Sequence, residues 1–146
     1  MKKLFIYFSN SGSGDLVKEK LQGFETRKVE IEKPLPKSFF WLVFSGGFSA
    51  GMRVKRKLKD FDNDIGDYDE VVIGSPIWNG RFSTPINTVL QEVDLTRKAV
   101  KFVLWSGSGE AKGAVKRINK EYPGSPIIIL KEPKKYNEEL DKLKEL

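Results

Sequence analysis

The 146-residue chain contains no cysteine and no histidine. Without cysteine there is no disulfide, no iron–sulfur cluster and no thiolate site. Without histidine the commonest general base and transition-metal ligand is missing. Any chemistry therefore falls to carboxylates, hydroxyls, lysines, backbone amides or a bound cofactor, and no metal site is expected. Long apolar runs are absent too. The longest, Phe39 to Phe44, is far short of the roughly 18 residues that suggest a membrane span. The start, Met1-Lys2-Lys3, leads straight into a strand-like run, so no signal or transit segment is expected and the cytoplasm is the expected location.

What is present describes a folded domain. Hydrophobic residues make up 39% of the chain and there are three tryptophans. The length suits one domain, 1–146, with a full core. Lysine and arginine outnumber aspartate and glutamate by 26 to 20, a net charge of +6. The basic residues are spread along the chain and many have acidic neighbours, which describes a solvated mixed-charge surface. The densest basic run, Arg53 to Lys59, has no aromatic residues interleaved as stacking platforms, so nucleic acid is not an expected partner.

The first apolar run, Leu4 to Phe8, reads as a buried strand, and Asp15 to Leu21 as a helix. Between them lie Ser9, Asn10, Ser11, Gly12, Ser13 and Gly14. A loop of small hydroxyl and glycine residues opening a helix can cradle an anion, because the first helical N–H groups have no internal partner. The same residues also suit a plain turn with a serine cap. Thr26 to Ile31 reads as a second strand nearer the sheet edge, and Lys33-Pro-Leu-Pro36 as irregular. The stretch Ser38 to Met52 is apolar on all sides of a helix axis, which marks it as core, lid or interface. Its 39–52 segment is a candidate homodimer surface. Asp60 to Glu70 reads as a loop, Glu70 to Gly74 as the third strand, and Ser75 to Ser83 as a long loop.

Thr84-Pro85 opens a helix with Thr84 as the expected cap, and Ile86, Val89, Leu90 and Val93 form its apolar stripe. Ala99 to Trp105 is the fourth strand, followed by Ser106, Gly107, Ser108 and Gly109. Ala111, Ala114, Val115, Ile118 and Tyr122 have helical spacing, and Pro123-Gly124 ends that helix. Pro126 to Leu130 is the fifth strand. A last helix is expected from about Tyr136, capped by Asn137, with Leu140, Leu143 and Leu146 packed. Apolar strands alternating with amphipathic helices predict a parallel α/β sheet covered on both faces. Its strand-to-helix loops 9–14, 75–83 and 106–109 share the carboxyl edge, where such sheets bind ligands. Trp78 and Trp105 are expected to flank one slot there.

These loops resemble those of the flavodoxin-like FMN-binding family. Ser9-Asn-Ser-Gly-Ser-Gly14 is similar to its phosphate loop, hydroxyl-x-Thr-Gly-Asn-Thr. Gly74-Ser-Pro-Ile-Trp-Asn-Gly80 followed by Pro85 resembles the segment after its third strand, and Ser106-Gly-Ser-Gly109 the loop after its fourth. The resemblance implies a flavodoxin-like three-layer α/β/α fold of the short form, with a five-stranded parallel sheet in order 2-1-3-4-5. It implies FMN as cofactor. The phosphate would lie on residues 9–14, and the flavin ring between Pro76, Ile77, Trp78, Asn79 and Gly80 on one side and residues 106–109 on the other. Trp78 would face the ring, and the Asn79-Gly80 backbone would face flavin N5, glycine being able to reorient there. The chain departs from the family pattern at Ser13 and Gly14, where asparagine and threonine are usual, and in being basic rather than acidic. The function implied is electron transfer with no catalytic acid or base, the redox partner carrying an acidic patch. An NAD(P)H- or quinone-dependent oxidoreductase and a flavin-free binding module on the same fold are the alternatives.

Overall fold

The computed structural model describes residues 1–33 and 57–146. The expectations for 39–52, the basic run up to Arg56 and the prolines at 34 and 36 lie outside the described residues. In chain order the elements are β1 (Lys3–Tyr7), α1 (Ser13–Lys20), β2 (Glu25–Lys28), β3 (Glu70–Trp78), β4 (Arg81–Phe82), α2 (Thr84–Glu92), β5 (Ala99–Ser106), α3 (Lys112–Glu121), β6 (Ile127–Lys131) and a 3-10 helix, Asn137–Glu145. The strands run β2-β1-β3-β5-β6, all parallel, with β4 paired antiparallel to β3 alone. Leaving out the short β4, this is the five-stranded 2-1-3-4-5 order. The chain starts mid-sheet, adds β2 on one side, and crosses to β3 on the other. Strand order therefore reverses between β1 and β3, the switch point at which open α/β sheets bind ligands.

The inner strands β1, β3 and β5 are largely apolar on both faces because both faces are covered, whereas the edge strand β2 is polar. Successive side chains alternate between faces, so β1 supplies Leu4 and Ile6 to one core and Phe5 and Tyr7 to the other. The first core takes Ile86, Val89, Leu90 and Val93 from α2, the spacing i, i+3, i+4, i+7, together with Ala114 and Ile118 from α3. The second core takes Val17 from α1, and Leu140 and Leu143 from the 3-10 helix.

Four elements differ from expectation. The 75–83 stretch is not a long loop: β3 runs on through Trp78, turns at Asn79-Gly80, and returns as β4, with Ile77 opposite Phe82 and Trp78 opposite Arg81. Asn79 and Gly80 have φ of 51° and 77°, the pair of positive values a type I′ hairpin turn needs. Ser83, not Thr84, is the cap residue of α2, with Thr84 its first helical residue. Strand β2 ends at Lys28, although Ile31 still makes an isolated bridge to Leu58. The last helix is of 3-10 type, capped by Tyr136 with Asn137 its first residue. Leu140, Leu143 and Leu146 are three apart, and three residues per turn put them on one face.

Among the described residues, no helix is long and apolar enough to cross a membrane.

Candidate functional site

The sheet register gathers the marked segments at one edge. Tyr7 at the end of β1 lies beside Gly74, and Pro76 lies beside Trp105 at the end of β5. Gly74 is obligatory for the packing between them, since a Cβ there would stand 2.7 Å from the Phe5 ring.

The 9–14 loop turns into α1 at Gly12, whose φ of 94° suits glycine alone. Ser9 Oγ accepts from the N–H of Gly12 at 3.1 Å and of Gly14 at 3.0 Å, so Ser9 closes the loop from within. The hydroxyls of Ser11 and Ser13 are 3.5 Å apart, too far for a strong bond. Among the described residues, the N–H groups of Ser11, Ser13 and Asp15 have no acceptor. They open α1, where the backbone dipoles favour negative charge. Asn10 is exposed at the loop tip. Gly14 is buried, and a Cβ on it would meet Tyr7 Cδ2 at 2.6 Å, Ser9 Cβ at 2.8 Å and Trp105 Cζ2 at 3.2 Å. The missing threonine thus has a packing cause. The place of a side chain at position 14 is filled by Tyr7 and Trp105.

Asp15 would be an unfavourable neighbour for an anion if its charge were free. It is tied away from the loop instead. Tyr7 Oη donates to Asp15 Oδ1 at 2.8 Å, and Lys28 Nζ lies 3.1 Å from both carboxylate oxygens. Partial burial pushes the Asp15 carboxyl up, but the hydrogen bonds from Tyr7 and Lys28 and the charges of Lys28 and Lys18 outweigh it. The net value lies below the ordinary carboxylate range. Burial, and then the bond to Asp15, push the Tyr7 phenol well above its usual range, so it stays a donor. Since the folded value of Asp15 is depressed, its contribution is full above the unfolded carboxylate value, about pH 4. It is lost as pH falls through the lower folded value. With Asp15 nearly half exposed, the contribution is below about 1 kcal/mol. Urea melts of the wild type and Asp15→Asn should therefore differ at pH 7 and converge towards pH 3. A gap that is constant with pH would contradict this.

The second segment is mostly strand. Pro76, Ile77 and Trp78 are buried, and only the turn residues Asn79 and Gly80 reach the edge, Asn79 exposed and Gly80 partly so. Ser75 Oγ donates to the Pro76 carbonyl at 2.7 Å and receives the Ser83 N–H at 3.2 Å, which pins the base of the hairpin. Trp78 is not mid-loop. It is 3% exposed, edge-on to Phe8 with ring centroids 6.0 Å apart, in the core beneath α2 and α3. Trp105 lies in the other core, beneath α1 and the 3-10 helix. The expectation of two indoles flanking one slot therefore fails, because Trp78 packs into one core cluster, against Phe8, and Trp105 into the other. Gly80 is not free to reorient either. Its carbonyl accepts the Ala114 N–H at 2.8 Å, joining the turn to the first turn of α3.

The third segment turns back on itself. Ser106 Oγ donates to the Glu110 carbonyl at 2.9 Å, and Ser108 Oγ accepts the Glu110 N–H at 3.2 Å. Both hydroxyls thus serve the loop. Gly107 and Gly109 are its small residues, and Gly109 has φ of 76° with Lys131 against it.

The connection after β6 was missed by sequence reasoning. The Glu132 N–H donates to the Ser106 carbonyl at 3.0 Å, which seats 132–136 against the third loop. Lys134 Nζ then reaches across to the Ser11 carbonyl, 2.6 Å away. The available signal was positional: a segment following a parallel strand must emerge at the same edge as the other loops. Together these groups gather at the switch point, beside the 79–80 turn and the 106–109 loop, with the Glu132 carboxylate against Gly107. The unpartnered amides fit a terminal phosphate.

A family model for flavodoxin matches residues 2–145. Among solved structures, a protein from Bacteroides eggerthii described as a flavoprotein superposes with a TM-score of 0.69 at 25% identity, covering 86% of this chain and 84% of its own. A second, from Bacteroides uniformis and described likewise, gives 0.65 at 26%, covering 86% and 85%. A Lactobacillus acidophilus flavoprotein solved in complex with FMN shares the fold, with a TM-score of 0.62 at 22% identity over 94% of this chain and 97% of its own. No curated protein matches the chain.

Proposed function

The chain belongs to the flavodoxin family, and from that premise we propose that it binds FMN non-covalently at the carboxyl edge of its sheet and works as an electron carrier. The observation that carries this reading is the set of unpartnered N–H groups of Ser11, Ser13 and Asp15 at the switch point. FMN, when bound, supplies the redox chemistry, and the protein supplies position and electrostatics. The 9–14 loop holds the phosphate through backbone donors. The 79–80 turn and the 106–109 loop limit where a flat ring can lie. Two features favour a carrier over an enzyme with its own small-molecule substrate. Neither histidine nor cysteine is present, and the hydroxyls of Ser9, Ser75, Ser106 and Ser108 are engaged in closing their own segments.

Exposed Lys112, Lys131, Lys134 and Lys135 surround this edge on a chain of net charge +6. The redox partner in this reading presents an acidic patch there, and transfer slows as salt rises.

Titration of purified protein with FMN, followed by quenching of flavin fluorescence, should show saturable one-to-one binding, and the reduced complex should exchange electrons with small one-electron acceptors. A protein that leaves FMN fluorescence unchanged would overturn the reading in favour of a flavin-free module. Steady-state oxidation of NAD(P)H with a quinone would replace the carrier by an oxidoreductase.

A further inference from the structure

Lys134 differs from the other lysines at the carboxyl edge in what it touches. Its ammonium donates to the Ser11 carbonyl inside the anion loop, 123 residues away in sequence. It lies 3.9 Å from where a Cβ on Gly12 would stand. Among the described residues it has no acidic partner. An ammonium carries three donors, and the carbonyl accepts one of them. A second donor beside the same loop is unsatisfied. Trp105 is 4% exposed and its Nε1–H has no acceptor, an uncommon state for a buried donor. The indole edge bearing that N–H runs along Cζ2, which lies against Gly14.

We infer that Lys134 is the charged phosphate-binding residue of this site, and that the chain selects a phosphorylated flavin over its unphosphorylated form largely through that ammonium. The inference rests on the FMN reading above. It also gives the departures at Ser13 and Gly14 a counterpart. A loop with fewer side-chain donors gains a full charge from the segment after the last strand, and a lysine serves there as a mobile point charge on phosphate.

The test compares wild type and Lys134→Gln, each titrated with FMN and with riboflavin at several salt concentrations. The expected result is a fall of about two- to fivefold in the FMN-to-riboflavin affinity ratio, the range of an exposed charge pair. The salt dependence of FMN binding should flatten in the variant. An equal loss for both flavins would mean that Lys134 only props the loop, and would overturn the inference. So would an unchanged ratio. If wild type binds neither flavin, the FMN reading fails, and inorganic phosphate then decides separately. Shifts of the Gly12, Ser13 and Gly14 amide resonances with phosphate in wild type, lost in Lys134→Gln, support the lysine's role. No shift in wild type overturns that role as well.

Discussion

Gly14→Thr, which writes the family's usual residue back into the loop, should weaken FMN binding rather than strengthen it. The new Cβ would sit 2.6 Å from Tyr7 Cδ2 and 2.8 Å from Ser9 Cβ. Neither neighbour can give way freely. The Tyr7 ring is stacked on Phe5, with centroids 4.8 Å apart and planes 8° apart, and its hydroxyl is held by Asp15. Ser9 holds the Gly12 and Gly14 amides through Oγ, so moving its Cβ distorts the loop and its unpartnered amides. Overpacking of this kind costs about 1–3 kcal/mol, and threonine's branching adds crowding in the first turn of the helix. Losing one charge-assisted amide bond lowers FMN affinity by more than about tenfold. Gly14→Ala sharpens the test because the propensity effect has the opposite sign. In an unconstrained helix this change stabilises by about 0.5–1 kcal/mol. Here it should lower the urea midpoint. An Ala variant as stable as wild type would show that the space beside Tyr7 opens easily.

Gly113→Ala should show the same inversion at the other side of the site. Gly113 is in the first turn of α3, where alanine is ordinarily the better residue. A Cβ there would stand 2.8 Å from the Gly80 carbonyl oxygen and 3.2 Å from Arg81 Cγ. The arginine can move, but the carbonyl is backbone. Both residues flanking it have constraints of their own: Gly80 sits in the hairpin turn, and Ala114 donates to that oxygen. Relief therefore requires lifting the hairpin off the helix and losing the bond. The expected loss is about 1–3 kcal/mol in unfolding free energy, with a measurable fall in FMN affinity because the 79–80 turn borders the site. A raised midpoint would mean that propensity outweighs the contact and that the turn is loosely seated.

The helices and parallel strands were legible because each carries its own period. The stripe Ile86, Val89, Leu90, Val93 faces a core in the structure, and the apolar run 99–105 is a central strand. The hairpin carried a local signal, since Asn-Gly favours a two-residue turn. It was missed because the glycine and proline around it suggested a loop. The 3-10 helix was half legible: its leucines repeat every three residues, but that short pattern is also compatible with an α-helix.

The site divides along the same line. By itself the sequence determined the parallel sheet, the segments that share its carboxyl edge, and a small-residue loop at the head of α1. These follow from local spacing and from the rule that strand-to-helix loops share an edge. Tertiary structure decided which atoms are available there. It packed Trp78 and Trp105 into separate cores, tied the Gly80 carbonyl to α3, and filled the space beside Gly14. It also brought Lys134 to the first loop from the far end of the chain. No local pattern encodes these outcomes. Each depends on strand register and on contacts between segments distant in sequence, which exist only once the sheet has closed around its two cores.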